Sequence, residues 1–371
     1  MPTRVRSFCK INLGLAIGPP RPDGFHSLAT LYQTLALHDV VTVEARRAPA
    51  TRITLTTNHP GVPTDARNTT WKIVELTLAR LNFSAEVNIH IQKDLPVQGG
   101  LGAGSANAAA TLLGLEKELG LEPGQPDGLT NEARLEIAAK VGSDVPLFLV
   151  GGAVEGRDRG QIVSPMPDLP ATPCVIAIPD VGVSTPRAFQ EWDALCASPG
   201  HVAKSPENPA NPSTSGLTPL SAPDRLKELS RVYASVLQSP ASDPSGIVRG
   251  TSAESKQPGF KGNGPDEDSS QNGLAGNPLL ALVRTGIEND FQQVVFPQHP
   301  SLRDIKRVLR GPSQESAIYA ALSGSGSALF GLYRTEADAV AAQQRVQGSG
   351  CKAIVTSTLP RDQYWATMFA E

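Results

Sequence analysis

Long apolar runs are missing from this chain of 371 residues. No stretch approaches the ~18 residues that a membrane span requires, so no membrane partner is expected. A dominant charge is missing too. Lysine and arginine number 33 against 36 acidic residues, a net charge of −3. That balance leaves no broad electrostatic footprint, and no nucleic-acid partner is expected. Paired cysteines are absent: Cys9, Cys174, Cys196 and Cys351 lie far apart and form no Cys-x-x-Cys. Neither a zinc module nor a disulfide framework follows, and reduced thiols in the cytoplasm are the expectation. The N-terminus does not read as a secretory leader. The apolar stretch after Arg4 and Arg6 is short, is broken by Lys10 and Asn12, and ends at Pro19-Pro20.

Glycine and proline are plentiful, at 34 and 32 residues, and some of the glycines are informatively placed. Residues 93–115, KDLPVQGGLGAGSANAAATLLGL, run from a strand end through a glycine-rich loop into an alanine-rich helix. Gly99, Gly100, Gly102 and Gly104 strip the loop of side chains, so backbone N–H groups can converge on a ligand. Ser105 or Asn107 can cap the helix. A helix N-terminus behind free N–H groups is an anion site, usually for phosphate. Two familiar phosphate loops are excluded. No Gly-Lys-Ser/Thr follows, and G-x-G-x-x-G fails at Ser105.

The length suits two domains. In 8–17, Cys9, Ile11, Leu13, Leu15 and Ile17 alternate with Lys10, Asn12, Gly14 and Ala16. This is a strand with one core face and one face toward solvent or a cleft. Pro22-Asp23-Gly24 is a turn, followed by Phe25 and His26. Taken alone, His26 reads as a turn residue or as a ligand. Segments 40–46 and 51–57 read as paired strands. Asn68 opens a helix, and 87–93 is a strand feeding the glycine loop. Thr130 caps another helix, which Gly142 closes as a left-handed C′ residue. Ser143-Asp144-Val145-Pro146 then precede an apolar strand, LFLVGGAVEG. Further on come a strand at 173–178 and a helix started by Thr185-Pro186. Residues 198–277 are rich in Ser, Pro, Gly and Asn, with one helical island at 223–237. They read as a largely disordered insertion. Beyond them lie two helices, a second glycine-rich loop in IYAALSGSGSALFGLY, and a final strand at 351–359.

Three separated motifs, in order, carry a resemblance: Lys10-Ile-Asn12-Leu, Pro96 with GGLGAGSANAA, and LSGSGSALFG at 322–331. They resemble the three motifs of the GHMP small-molecule kinases. RPDGFH at 21–26, GSDVPLFL at 142–149 and STPRAF at 184–189 resemble one branch of that family. Its substrate is 4-diphosphocytidyl-2-C-methyl-D-erythritol, in the non-mevalonate isoprenoid pathway.

The resemblance implies an α/β (α+β) fold with a ribosomal-protein-S5-like N-terminal domain at 1–165. A ferredoxin-like C-terminal domain would follow at 166–371, interrupted by the insertion. The implied reaction moves the γ-phosphoryl of ATP, with Mg²⁺, to the 2-hydroxyl of that substrate in a monomer or weak homodimer. Asp144 is then the general base and Lys10 its charged partner. Pro96, Gly99, Gly100, Leu101, Gly102, Ala103, Gly104, Ser105, Ala106 and Asn107 face ATP, with Asn68 and Lys93 on the adenine side. Asn12, Phe25, His26, Tyr32, Thr185 and Phe189 face the substrate. The metal ligands stay open, with Ser105 as a suggestion. Ala103 and Ala106 depart from the glycine pattern and require negative φ. A mevalonate, homoserine or sugar kinase and a non-catalytic nucleotide-binding relative are the alternatives.

Overall fold

The computed structural model describes residues 1–97, 99–121, 127–197, 231, 288–312 and 316–370. Two long strands, β1 (Thr3–Pro20) and β2 (His26–Arg47), form an antiparallel ribbon shared by both halves of the molecule. Their turn is Pro22-Asp23-Gly24, where Gly24 takes φ +79° and the Asp23 carboxylate accepts the Phe25 N–H.

Segments 40–46 and 51–57 are strands, as expected, but they do not pair with each other. β4 (Ala85–Gln92) lies between β2 and β3 (Arg52–Thr57), antiparallel to the first and parallel to the second. A parallel pair needs a crossover, and α1 (Thr69–Leu81) supplies it. Alternation identifies a strand without naming its neighbour. β5 (Ala153–Asp158) pairs with β2, and β6 (Ile162–Pro165) pairs with β5.

Helices α1, α2 (Ala103–Glu118) and α3 (Asn131–Val141) cover one face of this sheet. Val41, Val43, Val87 and Ile89 meet Ile73, Val74, Leu112 and Leu115 there. Each such side chain contributes about 1.5–3 kcal/mol by leaving water. On the other face, Cys9, Ile11 and Leu13 pack against Cys174, Ile176 and Phe330 of a second sheet. That sheet runs β10 (Lys352–Ser357), β7 (Pro173–Ile178), β9 (Leu329–Leu332), β8 (Tyr319–Leu322). It is backed by α4 (Thr185–Ala197), α5 (Gln292–Gln298), α6 (Pro300–Arg310) and α7 (Glu336–Gly348). Both faces of β1 are therefore buried, and its Lys10–Asn12 face lines a cleft.

Two local expectations are corrected. Residues 146–149 form a 3₁₀ turn, because Pro146 begins a helical turn without needing its N–H, and Gly151 and Gly152 at φ +71° and +69° reverse the chain before β5. Gly142 ends α3 at φ −179°, an extended conformation open to any residue. The end of the chain rejoins the first sheet. α8 (Arg361–Ala366) and β11 (Phe369–Ala370) return to the first sheet, where β11 pairs with β1 and the Tyr364 hydroxyl donates to the Phe148 carbonyl at 2.6 Å. Thr130 caps α3 as expected, accepting the Ala133 N–H. The island at 223–237 and the 198–277 insertion lie outside the described residues, apart from Arg231. Among the described residues no helix is long and apolar enough to cross a membrane.

Candidate active site

The first glycine loop ends in a helix that starts earlier than expected. α2 begins at Ala103, and its N-cap is Gly102 in the left-handed region with no side-chain cap. Neither Ser105 nor Asn107 caps it, so its first-turn N–H groups are open to an anion. Gly100, at φ +78°, admits no side chain, because a Cβ there would stand 2.0 Å from the Ser323 carbonyl oxygen. Gly102, at φ +71°, passes the Lys10 stem and Phe148, 3.0–3.1 Å from where its Cβ would be. Ala103 and Ala106 lie within the helix, where negative φ is natural.

The second glycine-rich loop sits on the first. Ala328 N–H donates to the Gly99 carbonyl at 3.0 Å, and Ser323 Oγ donates to the Gly100 carbonyl at 2.9 Å. Asn289, buried behind it, donates to the carbonyls of Leu322 and Gly324 at 2.8 and 2.7 Å.

Lys10 and Asn12 face this junction. β1 changes register between Phe8 and Lys10 and again between Asn12 and Gly14, and such bulges re-aim side chains. The Lys10 N–H is fixed to the Leu101 carbonyl at 3.0 Å. Its Nζ donates to Asn12 Oδ1 at 2.6 Å and the Gly100 carbonyl at 2.8 Å, and stands 3.4 Å from Asp144 Oδ2. Asn12 also donates to Thr30 Oγ1 at 2.8 Å, so it steadies Lys10 while lining the cleft. Asp144 Oδ1 accepts the Tyr32 hydroxyl at 3.0 Å. Burial, and then the Asp144 charge, hold the Tyr32 phenol well above its ordinary value, so it remains a donor. Tyr32 was expected on the substrate side, and it lines the same cleft as His26 and Phe189. Its ring is buried, 5.6 Å from Lys10 Nζ, and it also serves the Lys10–Asp144 pair.

A cleft of about 690 Å³ extends from this pair. It is lined by Gly100, Gly102 and Ser325 and also by Phe25, His26 and Phe189. His26 and Phe189 stack at 4.6 Å and 16°, and His26 Nε2 meets Asp193 Oδ1 at 2.7 Å. Phe25 is half exposed beneath the Arg159 guanidinium, 4.6 Å from its ring centroid. Thr185 Oγ1 and Ser325 Oγ share a hydrogen bond of 2.7 Å.

Three expected ATP-facing side chains are engaged elsewhere. Asn68 caps α1, accepting the Thr70 N–H and donating to the Pro63 carbonyl. Lys93 is buried in an ion pair with Asp39 at 2.6 Å. Asn107 accepts from Ser7 Oγ at 2.6 Å on the sheet side of α2. Each fills a buried polar requirement of the fold, which a motif position does not reveal. Conversely, Asp193, Arg159, Ser325 and Asn289 escaped the sequence reading. Asp193 had a signal, because Thr185, Phe189 and Asp193 recur every four residues and so share a helix face.

Two family profiles match the chain, GHMP kinases N terminal domain over residues 68–152 and GHMP kinases C terminal over 277–352. A 4-diphosphocytidyl-2-C-methyl-D-erythritol kinase of Synechococcus sp. is 31% identical over 97% of this chain and 92% of its own. The chain belongs to the 4-diphosphocytidyl-2-C-methyl-D-erythritol kinase family of GHMP kinases. Another family member, from Rhodococcus jostii, is 41% identical over 201 residues, and the match spans 53% of this chain and 61% of that relative. A crystal structure of 4-(cytidine 5'-diphospho)-2C-methyl-D-erythritol kinase superposes with TM-score 0.59 at 22% identity, covering 95% of this chain and 98% of that one. A homoserine kinase of Cytophaga hutchinsonii gives TM-score 0.63 at 18% identity, covering 98% and 96%. These superpositions establish the two-domain GHMP kinase fold, which family members share with kinases of other substrates.

Proposed function

We propose that this chain transfers the γ-phosphoryl group of ATP to the 2-hydroxyl of 4-diphosphocytidyl-2-C-methyl-D-erythritol, giving the 2-phosphate and ADP. It would serve the non-mevalonate route to isoprenoid precursors, in the cytoplasm. One observation carries the reading. The Lys10–Asp144 pair opens on a single cleft with two unlike ends, glycine-loop backbone at one and the His26–Phe189 stack at the other.

The open N–H groups of the α2 first turn receive ATP phosphate oxygens. The substrate hydroxyl lies at Asp144, and the carboxylate accepts its proton as attack proceeds. Tyr32 occupies Oδ1 and holds the carboxylate in place. The Lys10 ammonium offers its charge to the transferring phosphoryl. Positioning and electrostatics supply most of the rate in such transfers. Among the described residues no group of three His, Cys, Asp or Glu side chains gathers to hold a metal ion. A magnesium ion brought by the nucleotide fits this site, since it takes few protein ligands, and Ser105 in the first turn of α2 would be one. It would neutralise phosphate charge. Phe25, His26, Thr185 and Phe189 take the cytidine end.

A coupled assay of ADP release tests the proposal, with ATP and 4-diphosphocytidyl-2-C-methyl-D-erythritol against mevalonate, homoserine and galactose. Turnover of the diphosphocytidyl alcohol is expected. Turnover of one of the others in its place refutes the reading.

A further inference from the structure

One helix face brings Thr185, Phe189 and Asp193 to the cleft. Two of these three control the buried His26 ring. Phe189 lies flat on it, and Phe291 in turn closes on Phe189 edge-on at 4.9 Å and 75°. Asp193 Oδ1 stands 2.7 Å from Nε2. The ring therefore has a fixed plane and a fixed edge toward α4. A carboxylate can only accept a hydrogen bond, so Nε2 carries the hydrogen. In the neutral ring, Nδ1 is then an acceptor. Among the described residues no hydrogen bond to Nδ1 is formed, and His26 lines the cleft.

We infer that Asp193 is a positioning residue that locks His26 in its Nε2–H tautomer, so that the slot selects an amino-bearing pyrimidine over its oxo counterpart. The inference rests on the cytidine reading of this end of the cleft. Cytosine carries a donor at N4, and uracil carries an acceptor at O4. An Nδ1 lone pair accepts the amine but opposes the carbonyl. Without Asp193 both tautomers become available, and the Nδ1–H form pairs with O4. Asp193 is itself partly exposed, so its replacement opens no core.

The test compares the cytidine substrate with its uridine analogue, using wild type, Asp193→Ala and Asp193→Asn. Nitrogen-15 spectra of labelled histidine read the His26 tautomer, assigned by His26→Gln. Wild type is expected to favour the cytidine compound by about tenfold or more in kcat/KM, the cost of one mismatched buried group. Asp193→Ala should raise the cytidine KM about tenfold with kcat little changed, because the reacting groups are at Lys10 and Asp144. Its preference should fall below about threefold, and its spectrum should show both tautomers. Asp193→Asn keeps an acceptor oxygen and should restore preference and tautomer together. An Asp193→Ala enzyme that keeps both overturns the inference. So does an Asp193→Asn enzyme that behaves like the alanine variant, because carboxylate charge would then matter and not acceptor geometry. Equal turnover of both compounds by the wild type also overturns the inference, whereas failure of the reading on which it rests is distinguishable as no turnover of either compound.

Discussion

Replacing Gly100 by alanine isolates how much the contact between the two glycine loops matters. The new Cβ would stand 2.0 Å from the Ser323 carbonyl oxygen. An ordinary carbon–oxygen approach is about 3.3 Å, so the loops must part by more than about 1 Å. That movement stretches the bonds that Lys10 Nζ and Ser323 Oγ make to the Gly100 carbonyl, at 2.8 and 2.9 Å. The left-handed φ adds about 1–2 kcal/mol, and overpacking adds about 1–3 kcal/mol. Gly120→Ala is the control, because Gly120 has φ +64° with nothing within 4 Å of its would-be Cβ. It should cost only the backbone strain. Urea unfolding should therefore place Gly100→Ala about 1–3 kcal/mol below Gly120→Ala. Activity should separate them further. If this loop holds ATP phosphate as proposed, a displacement of 1 Å should lower kcat/KM by about 100-fold, whereas Gly120→Ala should stay near wild type. If Gly100→Ala unfolds with its control and keeps kcat/KM within about threefold of wild type, the loop–loop clamp is not what shapes the phosphate site.

Asp144→Asn should lower kcat by about 10²–10⁴ with ATP affinity near normal, and steady-state kinetics within threefold of wild type would remove Asp144 from proton transfer. Tyr32→Phe takes the donor from Asp144 Oδ1. It should lower kcat about tenfold with KM little changed, about what one lost charge-assisted bond is worth, and an unchanged kcat would refute the support role. Burial, and then the Arg310 charge, lower the Lys306 ammonium from 10.5 to about 8. Between pH 8 and 10.5 the unfolded chain binds more protons at this site, so its destabilising contribution is full below pH 8 and fades as pH rises. Lys306→Met should thus be the more stable protein at pH 7, by about 1–2 kcal/mol after solvent screening, and paired urea melts should show the gap closing toward pH 10.5. Lys306 Nζ also donates to Gln292 Oε1 at 2.7 Å, and a gap independent of pH would show that lost packing or this bond governs the variant.

The sequence by itself determined the elements whose cause is local. The alternation at 8–17 gave a strand with Lys10 and Asn12 on one face, and the structure has that strand. Thr130, Asn68 and Thr185-Pro186 marked helix starts, because a cap or a proline acts within one turn of itself. The glycines at 99–102 announced a tight phosphate-type loop, since few other residues adopt its positive φ. Tertiary structure decided whatever depends on partners distant in the chain. The β4 strand came between β2 and β3, because alternation says nothing of neighbours. The last strand closed on the first, 366 positions away between Arg4 and Ala370, by a pairing with no signal of its own. Lys93 and Asn107 sit in the phosphate-loop motif but answer buried Asp39 and Ser7, which come near only on folding. Tyr32 likewise became the support of Asp144 because β2 carries it beneath the end of α3. Side-chain destination follows from which buried polar groups must be satisfied at once, and that set exists only in the folded chain.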